Sequence, residues 1–176
     1  YKYKSYVRDL RESNEQVSHE NDMKDWASEV KLNGDQEYWL SQLTKQNDRQ
    51  VMWVDDREGG KGKSLFSKWL ITTHDAIRFT NAKTADISYA YNGEEYVIVD
   101  LCRTVNGRVN YGVIEDLKNG MLFSGKYKSR TKVFPRAPKI VIMANFAPDF
   151  EALSKDRWNY MYKSPTTGAW VHPKVT

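Results

Sequence analysis

A short run of glycine, lysine and serine has residue types and a spacing suited to one kind of chemistry. The segment Gly62-Lys63-Ser64 fits the end of the pattern G-x-x-x-x-G-K-[ST], although Arg57 stands where the first glycine belongs. Glycines let backbone N–H groups approach phosphate oxygens, and a lysine beside a serine hydroxyl suits terminal phosphates with a bound Mg²⁺. We therefore predict an ATP-binding loop with Mg²⁺ as a cofactor, formed by Gly59, Gly60, Lys61, Gly62, Lys63, Ser64 and Leu65.

Two polar residues follow apolar runs of the kind that form buried strands. Asp100 follows residues 96–99, and Asn145 follows residues 139–144. In phosphate-loop enzymes an acid at a strand tip holds Mg²⁺, and an asparagine there can orient the attacking water or contact the γ-phosphate. The predicted catalytic residues from these motifs are Lys63, Asp100 and Asn145, and the predicted metal ligands are Ser64 and Asp100.

Each motif also has a simpler explanation. The loop could be a flexible surface loop rich in glycine and lysine, Asp100 could merely end its strand, and Asn145 could be a turn residue before Pro148. The occurrence of all three motifs in this order favours the phosphate-binding interpretation.

The elements that must position these residues follow from the spacing of the apolar side chains. Three apolar runs predict buried strands, at residues 51–54, 96–99 and 139–144. Helical patterns between them, at residues 64–71 and 112–119, complete an alternation of strands and helices. This alternation predicts an α/β domain over residues 46–176, with a mostly parallel sheet flanked by helices.

The two helices carry further expectations. The helix after the loop is expected to bury Leu65, Trp69 and either Phe66 or Leu70. The second helix is expected to end at Asn119-Gly120, because glycine adopts the left-handed conformation that often follows a helix.

A separate helical segment is predicted before the sheet. Met23, Trp26 and Val30 lie at helical spacing, and the apolar residues within 38–43 do the same. Residues 33–35 have the composition of a turn followed by an N-cap, whereas residues 1–20 are polar and weakly patterned. We predict that residues 1–45 form a linker and a small helical subdomain.

Positive charge is concentrated in one stretch of the chain. Residues 118–139 contain seven lysines and arginines and neither aspartate nor glutamate. A stretch of one sign suits a nucleic-acid phosphate backbone, and a solvated charged loop is the alternative.

The composition excludes several classes of protein. With 176 residues, 40% of them hydrophobic, the chain should fold around a full core. We expect no membrane-spanning helix, since none of its apolar runs approaches about 20 residues. Cys102 is the single cysteine, so no internal disulfide can form. Because the chain begins with Tyr1 rather than Met, we expect it to be a fragment of a longer protein.

The motifs in this order resemble the superfamily 3 helicase domain of replication initiator (Rep) proteins of circular single-stranded DNA viruses. The resemblance covers residues 49–158 and rests on Lys63-Ser64, on segments 98–103 and 140–149, and on Asp156-Arg157-Trp158. Its most specific parts are the asparagine motif followed by Asp156-Arg157-Trp158, and Gly125-Lys126-Tyr127 between the acidic and asparagine motifs.

The resemblance implies an AAA+-like P-loop sheet, a hexameric ring and ATP-driven movement on single-stranded DNA. It also implies a location in the host nucleus if the virus is one of eukaryotes, and otherwise an intracellular location. It implies that residues 1–45 support oligomerisation and that a basic hairpin within residues 118–139 grips DNA. The implied DNA-binding residues are Lys126, Lys128, Arg130 and Lys132. Phe123, Tyr127 and Phe134 interleave with them as base stacking would require, although core packing is the simpler explanation for Phe123 and Phe134.

The resemblance also implies a catalytic arginine that completes the active site of a neighbouring subunit. Arg157 is the candidate, because it lies in the motif that follows the asparagine strand. The alternative is a structural role, in which Arg157 pairs with Asp156 or stacks on Trp158.

The chain departs from the family pattern at the acidic strand. Leu101 follows Asp100 where many relatives carry a second acid, so the general base stays open between Asp100, Glu115 and Asp116. Family initiators also carry an N-terminal endonuclease domain, which we expect in the same polypeptide if this chain is a fragment. The histidines lack the nuclease metal spacing, and Tyr1-Lys2-Tyr3-Lys4 matches only its Tyr-x-x-Lys, so we expect no nicking by this chain.

Two other functions compete with the DNA translocase. The chain could be a different P-loop enzyme, such as a nucleotide or small-molecule kinase. It could also be a non-catalytic DNA-binding module with a vestigial loop, which Arg57 and the unpaired Asp100 would suit. Hydrolysis of ATP with and without single-stranded DNA distinguishes the three.

Overall fold

The computed structural model describes residues 2–102 and 108–176, with side chains from residue 11 onward. The helices are α1 (Lys2–Glu29), α2 (Gly34–Thr44), α3 (Lys63–Thr73), α4 (Thr84–Ala90) and α5 (Tyr111–Asn119). The strands are β1 (Val51–Asp55), β2 (Ala76–Thr80), β3 (Tyr96–Asp100), β4 (Met121–Ser124), β5 (Arg130–Val133), β6 (Lys139–Ala144), β7 (Trp158–Lys163) and β8 (Trp170–Val171). Arg103 of the acidic motif and Tyr1 lie outside the described residues, as do the side chains of Lys2, Tyr3 and Lys4.

A six-stranded sheet forms the centre of the fold, in the order β2-β3-β6-β1-β7-β8. The first five strands are parallel, and β8 pairs antiparallel with β7. The predicted α/β class, the mostly parallel sheet and the three predicted strands are confirmed. Parallel pairing places the carboxyl-terminal ends of β1, β3 and β6 side by side. We call the side of the sheet where these strands end the carboxyl edge, and the side where they begin the amino edge.

Each face of the sheet is covered by its own helices. Along β1, Val51 and Trp53 belong to the core cluster that includes α4 and α5, whereas Met52 and Val54 belong to the cluster that includes α2 and α3. All of β1 is buried because both faces are covered, which explains its continuous apolar run.

The inward face of α3 differs in part from the prediction. Phe66 and Leu70 are fully buried, but Leu65 is exposed and Trp69 is half-buried. The buried stripe follows the i, i+4 spacing of Phe66 and Leu70, and this spacing turns Leu65 toward the open carboxyl edge. The end of α5 is as predicted, since Gly120 follows it with φ +71°.

The N-terminal helices pack against the sheet domain. Trp39 of α2 contacts Phe66 of α3 edge-on, with 5.7 Å between ring centroids, and lies in the same core cluster as Met52. In α1, Trp26 lies 4.3 Å below the ammonium group of Lys68. The division of the chain at residue 45 stays a prediction. Across the part of the chain that the structure describes, none of the helices combines the length and apolar character needed to span a membrane.

A buried lysine joins α5 to the start of two strands. Lys118 is only 4% exposed, and its Nζ donates to Oε1 of Gln46 (2.9 Å) and to the carbonyl oxygens of Asn47 (3.1 Å) and Pro138 (2.8 Å). Burial lowers the pKa of Lys118 to about 8. Lys118 therefore belongs to the core and does not contribute to an exposed basic surface.

We predict that Lys118→Met destabilises the fold by about 1–3 kcal/mol at pH 7, because buried carbonyl oxygens lose their donor. The pKa of Lys118 is about 8 in the folded chain against 10.5 when unperturbed. Between these values the unfolded state holds the proton that the folded state lacks, so wild-type stability rises with pH. Urea denaturation at pH 7 and pH 9.5 should show the gap between wild type and variant widening. A constant gap would contradict the assignment, and Lys174→Met, at an exposed position, should show no such trend.

Candidate active site at the carboxyl edge

A cavity of about 1070 Å³ lies where β1, β3 and β6 end. Its volume is at the upper end of the range for small-molecule sites. Most of the predicted site residues line it, namely Gly59, Gly60, Gly62, Lys63, Ser64, Leu65, Asp100 and Asn145. The structure thus brings three separate sequence motifs together around one space.

The glycine loop between β1 and α3 has a backbone that glycine alone adopts readily. Gly59, Gly60 and Gly62 have φ values of +72°, +72° and +88°, all in the left-handed region. The helix begins at Lys63, so its first N–H groups and its positive end face the cavity. This is the arrangement that binds phosphate groups at helix N-termini.

The first turn of α2 holds the glycine loop in place. Gln36 is 1% exposed and donates from Nε2 to the carbonyl oxygen of Gly62 (2.8 Å), while its Oε1 accepts from the N–H of Asn33 (2.9 Å). Asn33 also donates from Nδ2 to the carbonyl oxygen of Lys61 (3.3 Å). The capping residues of α2 therefore brace the loop as well as the helix.

The loop lysine is paired with a buried acid. Nζ of Lys63 lies 2.8 Å from Oδ2 of Asp56, whose side chain is 2% exposed. The other oxygen of Asp56 accepts from the N–H of Gly59 (3.1 Å). A phosphate group that binds Lys63 must therefore compete with this carboxylate.

Arg57, which replaces the first glycine of the pattern, has a partner of its own. Its guanidinium lies 3.2 Å from Oδ2 of Asp55, and the hydroxyl of Tyr160 donates to the same oxygen (2.7 Å). Burial and this hydrogen bond raise the pKa of Tyr160, so it stays a donor. The interactions fix the point where β1 turns into the loop.

Asp100 lies at the end of β3 with both carboxylate oxygens engaged. Oδ2 accepts from Nη2 of Arg78 (2.6 Å), and Oδ1 accepts from the N–H of Cys102 (3.1 Å). Burial by itself would raise the pKa of Asp100, but the hydrogen bonds from Arg78 and Cys102 outweigh it and hold the pKa below its usual value. Asp100 is therefore a carboxylate at neutral pH.

Asn145 and Cys102 connect the ends of β6 and β3. Nδ2 of Asn145 donates to the carbonyl oxygen of Cys102 (3.0 Å), which orients the exposed amide at the cavity wall. Burial raises the pKa of the Cys102 thiol to about 11, so it is not a thiolate at neutral pH. Asn145 is thus available for hydrogen bonding, whereas Cys102 is not a nucleophile.

The donor atoms present fit a magnesium ion. Ser64 supplies a hydroxyl and Asp100 a carboxylate, and both line the same cavity. Mg²⁺ prefers oxygen ligands, and it commonly uses one or two protein oxygens together with phosphates and water. Among the side chains that the structure describes, three or more His, Cys, Asp and Glu are nowhere gathered into a metal cluster.

Several predicted or alternative site residues do not reach the cavity. Lys61 pairs with Glu58 (3.4 Å) and is absent from the lining. Glu115 and Asp116, the alternatives for a general base, do not line it either. The pKa of Arg49 at the amino edge is raised by its hydrogen bond to Asp156 and, to a smaller extent, by the charge of Glu115. The side chain of Glu115 therefore lies near the amino edge.

Arg157 lies at the amino edge, on the far side of the sheet from the glycine loop. It is 2% exposed, and it donates to the carbonyl oxygen of Arg49 (3.2 Å) and to Oδ1 of Asn119 (2.6 Å). Asp156 does not pair with it, because two hydrogen bonds from Arg49 hold Asp156 and lower its pKa to about 2. These contacts give Arg157 a structural role in joining β1, α5 and β7.

The predicted basic hairpin is present as the antiparallel pair β4–β5. Lys128 and Arg130 are exposed, and Lys126 is exposed but paired with Asp86. Lys132 is half-buried and donates to the carbonyl oxygens of Tyr89 and Tyr91 (both 2.9 Å). Of the four predicted DNA-binding residues, Lys132 thus already uses its charge to fasten the hairpin to α4.

One face of the hairpin exposes apolar and aromatic side chains. Phe123 is 63% exposed and Tyr127, at the tip, 92%. The expectation that Phe123 packs in the core is wrong, because it alternates with the buried Leu122 and Ser124 along β4. Phe134 does pack inward, edge-on against Tyr91, with 4.8 Å between the ring centroids.

Several residues that line the cavity were not predicted as site residues from the sequence. They are Asp56, Glu58, Arg78, Thr80, Asn81, Cys102 and Arg108. Asp56 could have been noticed, since it directly precedes the replaced glycine. Arg78, Thr80 and Asn81 come from β2 and its end, and this strand was not recognised because it lies at the sheet edge and is only partly apolar.

We predict that Gly62→Ala destabilises the chain more than Gly59→Ala does. Both positions have positive φ, which costs about 1 kcal/mol or more for alanine. A Cβ at Gly62 would also lie 2.4 Å from Nε2 of Gln36, whereas a Cβ at Gly59 meets nothing within 4 Å. In a Gln36→Ala background the penalty at Gly62 should shrink by about 1 kcal/mol. Unfolding free energies of the four variants test this, and strictly additive values would argue against a direct contact.

Comparison with known proteins shows relatives among viral replication proteins. The master replication protein of Faba bean necrotic yellows virus is 42% identical over 120 residues, which are 68% of this chain and 42% of that relative. That of banana bunchy top virus is 38% identical over 109 residues, or 62% of this chain and 38% of the relative. Para-Rep C9 of Faba bean necrotic yellows C9 alphasatellite is 33% identical over 118 residues, or 66% of this chain and 42% of the relative.

The chain spans less than half the length of these curated relatives. No family model matches it. This α/β chain is therefore similar to part of the viral master replication proteins.

Proposed function

We propose that this chain is the ATP-hydrolysing motor part of a viral DNA replication initiator, a helicase that acts on single-stranded DNA. One observation carries the proposal: Lys63, Ser64, Asp100 and Asn145, from three separate motifs, line one cavity at the carboxyl edge of a parallel sheet. Ligands of such sheets bind at this edge, where loops and helix N-termini converge.

Each of these residues has a different role in the proposed hydrolysis of ATP. Lys63 first leaves its ion pair with Asp56. Its Nζ and the backbone N–H groups of the glycine loop then hold the terminal phosphates. Ser64 and Asp100 would hold Mg²⁺, which when bound supplies positive charge to the phosphate oxygens. The amide of Asn145, held by Cys102, orients the attacking water or contacts the γ-phosphate.

The hairpin β4–β5 is the proposed DNA contact. Lys128 and Arg130 offer exposed positive charge, and Phe123 and Tyr127 offer exposed rings on which bases can stack. Lys126 can join them if DNA phosphate displaces Asp86. Lys132 supports the surface indirectly by fixing the hairpin to α4.

The proposed assembly is a hexameric ring in which residues 1–45 hold the subunits together. Arg157 stays the predicted arginine that acts across subunits in that ring. This role requires a side chain that is 2% exposed at the amino edge to leave its partners to reach a neighbouring cavity. We also propose that an endonuclease domain precedes this part in the complete polypeptide and that the protein works in the host nucleus.

A non-catalytic DNA-binding module is the second candidate. It is favoured by one observation, that Asp100 is engaged by Arg78 and that neither Glu115 nor Asp116 lines the cavity. Release of phosphate from ATP, measured with and without single-stranded DNA, decides between the two. Turnover that DNA stimulates supports the motor, turnover indifferent to DNA points to another P-loop enzyme, and DNA binding without turnover supports the module.

We predict that Lys63→Ala abolishes ATP turnover, with a decrease of at least about 100-fold, because charge stabilisation in the transition state disappears. Lys155→Ala is the matched control, since Lys155 is an exposed lysine at the amino edge. Steady-state phosphate release and a melting curve for each variant provide the measurement. A Lys63→Ala protein that turns over at the wild-type rate would refute the site.

We predict that the double variant Lys128→Ala/Arg130→Ala weakens binding of single-stranded DNA without changing ATP binding. The slope of log affinity against log salt should become shallower by about 0.7 for each phosphate that the variant no longer neutralises. Fluorescence anisotropy with a labelled oligonucleotide at several salt concentrations measures this. Lys155→Ala, an exposed lysine at the amino edge, serves as the control, and an unchanged salt slope in the double variant would exclude the hairpin as the DNA contact.

A further inference from the structure

Each carboxylate oxygen of Asp100 already has a hydrogen-bond partner. Its Oδ2 accepts from Nη2 of Arg78 at 2.6 Å, and its Oδ1 accepts from the backbone N–H of Cys102 at 3.1 Å. The backbone contact belongs to the turn after β3 and is fixed. The Arg78 side chain, which is 40% exposed, is the partner that can leave.

Arg78 is close enough to the glycine loop to act there. In the register of β2 against β3, Arg78 pairs with Ile98 and Thr80 pairs with Asp100, so Arg78 and Asp100 project from the same face of the sheet. That face is the one that α3 covers, since Ile98 lies in the core cluster with Phe66 and Leu70. Arg78 and Ser64 line the large cavity together and also share a smaller one of about 330 Å³.

Two of the ion pairs at the cavity join a cation to an acid that both line it. Lys63 is held by Asp56 at 2.8 Å, and Arg78 is held by Asp100 at 2.6 Å. If Asp100 holds a metal ion, the guanidinium of Arg78 loses its counter-charge and stands beside a cation instead. A phosphate group bound by Lys63 and Ser64 would offer a replacement charge in the same cavity, and a guanidinium suits phosphate oxygens in its geometry as well as its charge.

We propose that Arg78, which pairs with Asp100 in this structure, is a phosphate-contacting residue of this site that turns to the terminal phosphate when Asp100 engages the metal ion. The inference rests on the proposed nucleotide-binding function. Arg78 thereby makes the chain prefer a nucleoside triphosphate over the diphosphate, and its contact with Asp100 competes with the metal.

The experiment measures nucleotide binding rather than turnover. Calorimetric titration of a non-hydrolysable ATP analogue and of ADP, each over a series of Mg²⁺ concentrations, is carried out on wild type, Arg78→Gln, Arg78→Lys and Arg136→Gln. Arg136 is an exposed arginine before β6 at the amino edge, so its variant controls for the removal of one positive charge. A melting curve without nucleotide confirms that each variant is folded.

In Arg78→Gln we expect the preference for the analogue over ADP to fall about tenfold or more, while ADP affinity stays near that of wild type. We also expect half-maximal binding at a lower Mg²⁺ concentration, because the competitor for Asp100 is gone. Arg78→Lys should recover part of the triphosphate preference, and Arg136→Gln should behave as wild type.

Three results would overturn the inference. If Arg78→Gln needs less Mg²⁺ but keeps the wild-type preference for the triphosphate, Arg78 is only a counter-ion of Asp100. An equal decrease in affinity for both nucleotides makes it a structural residue. A wild-type chain that binds neither nucleotide at any Mg²⁺ concentration refutes the proposed function itself, and with it this inference, whereas the first two results leave the proposed function standing.

Discussion

The parallel pairing of β3, β6 and β1 determines which side chains of this chain can meet. Because the three strands run in one direction and lie side by side, their ends bring Asp55, Asp100 and Ala144 to the same edge, followed at once by the glycine loop and Asn145. Residues far apart in the sequence thus share one cavity. The same pairing sends Arg157, which precedes β7, to the opposite edge.

Opposite charges are in contact with each other at the carboxyl edge. Lys63 with Asp56 and Arg78 with Asp100 are each partly or wholly removed from water, so each cation has a carboxylate as its counter-charge. A highly charged ligand that enters this edge exchanges partners with groups already in place. Such a site needs little rearrangement of the backbone, because the loop that presents Lys63 is already fixed by Gln36 and Asp56.

Much of the fold and the centre of the site could be predicted from the sequence, and the reasons are physical. Strands β1, β3 and β6 are buried on both faces and therefore read as continuous apolar runs, and Gly120 ends α5 with the left-handed conformation expected of it. Edge strand β2 lacks such a run, so Arg78 was missed with it. The contacts of Lys118, Lys132 and Arg157 could not be predicted, because a charged side chain gives no sign in the sequence of the backbone carbonyl oxygens that it will meet.

The contact between Gln36 and Gly62 also constrains how this sequence can change over generations. A side chain at position 62 would occupy the space that the Gln36 amide fills, and loss of that amide removes a donor from the Gly62 carbonyl oxygen. A substitution at either position alone therefore gives a less stable variant. Selection on the glycine loop extends by this contact to a helix residue 26 positions earlier, and the sequence of that helix gives no sign of the contact.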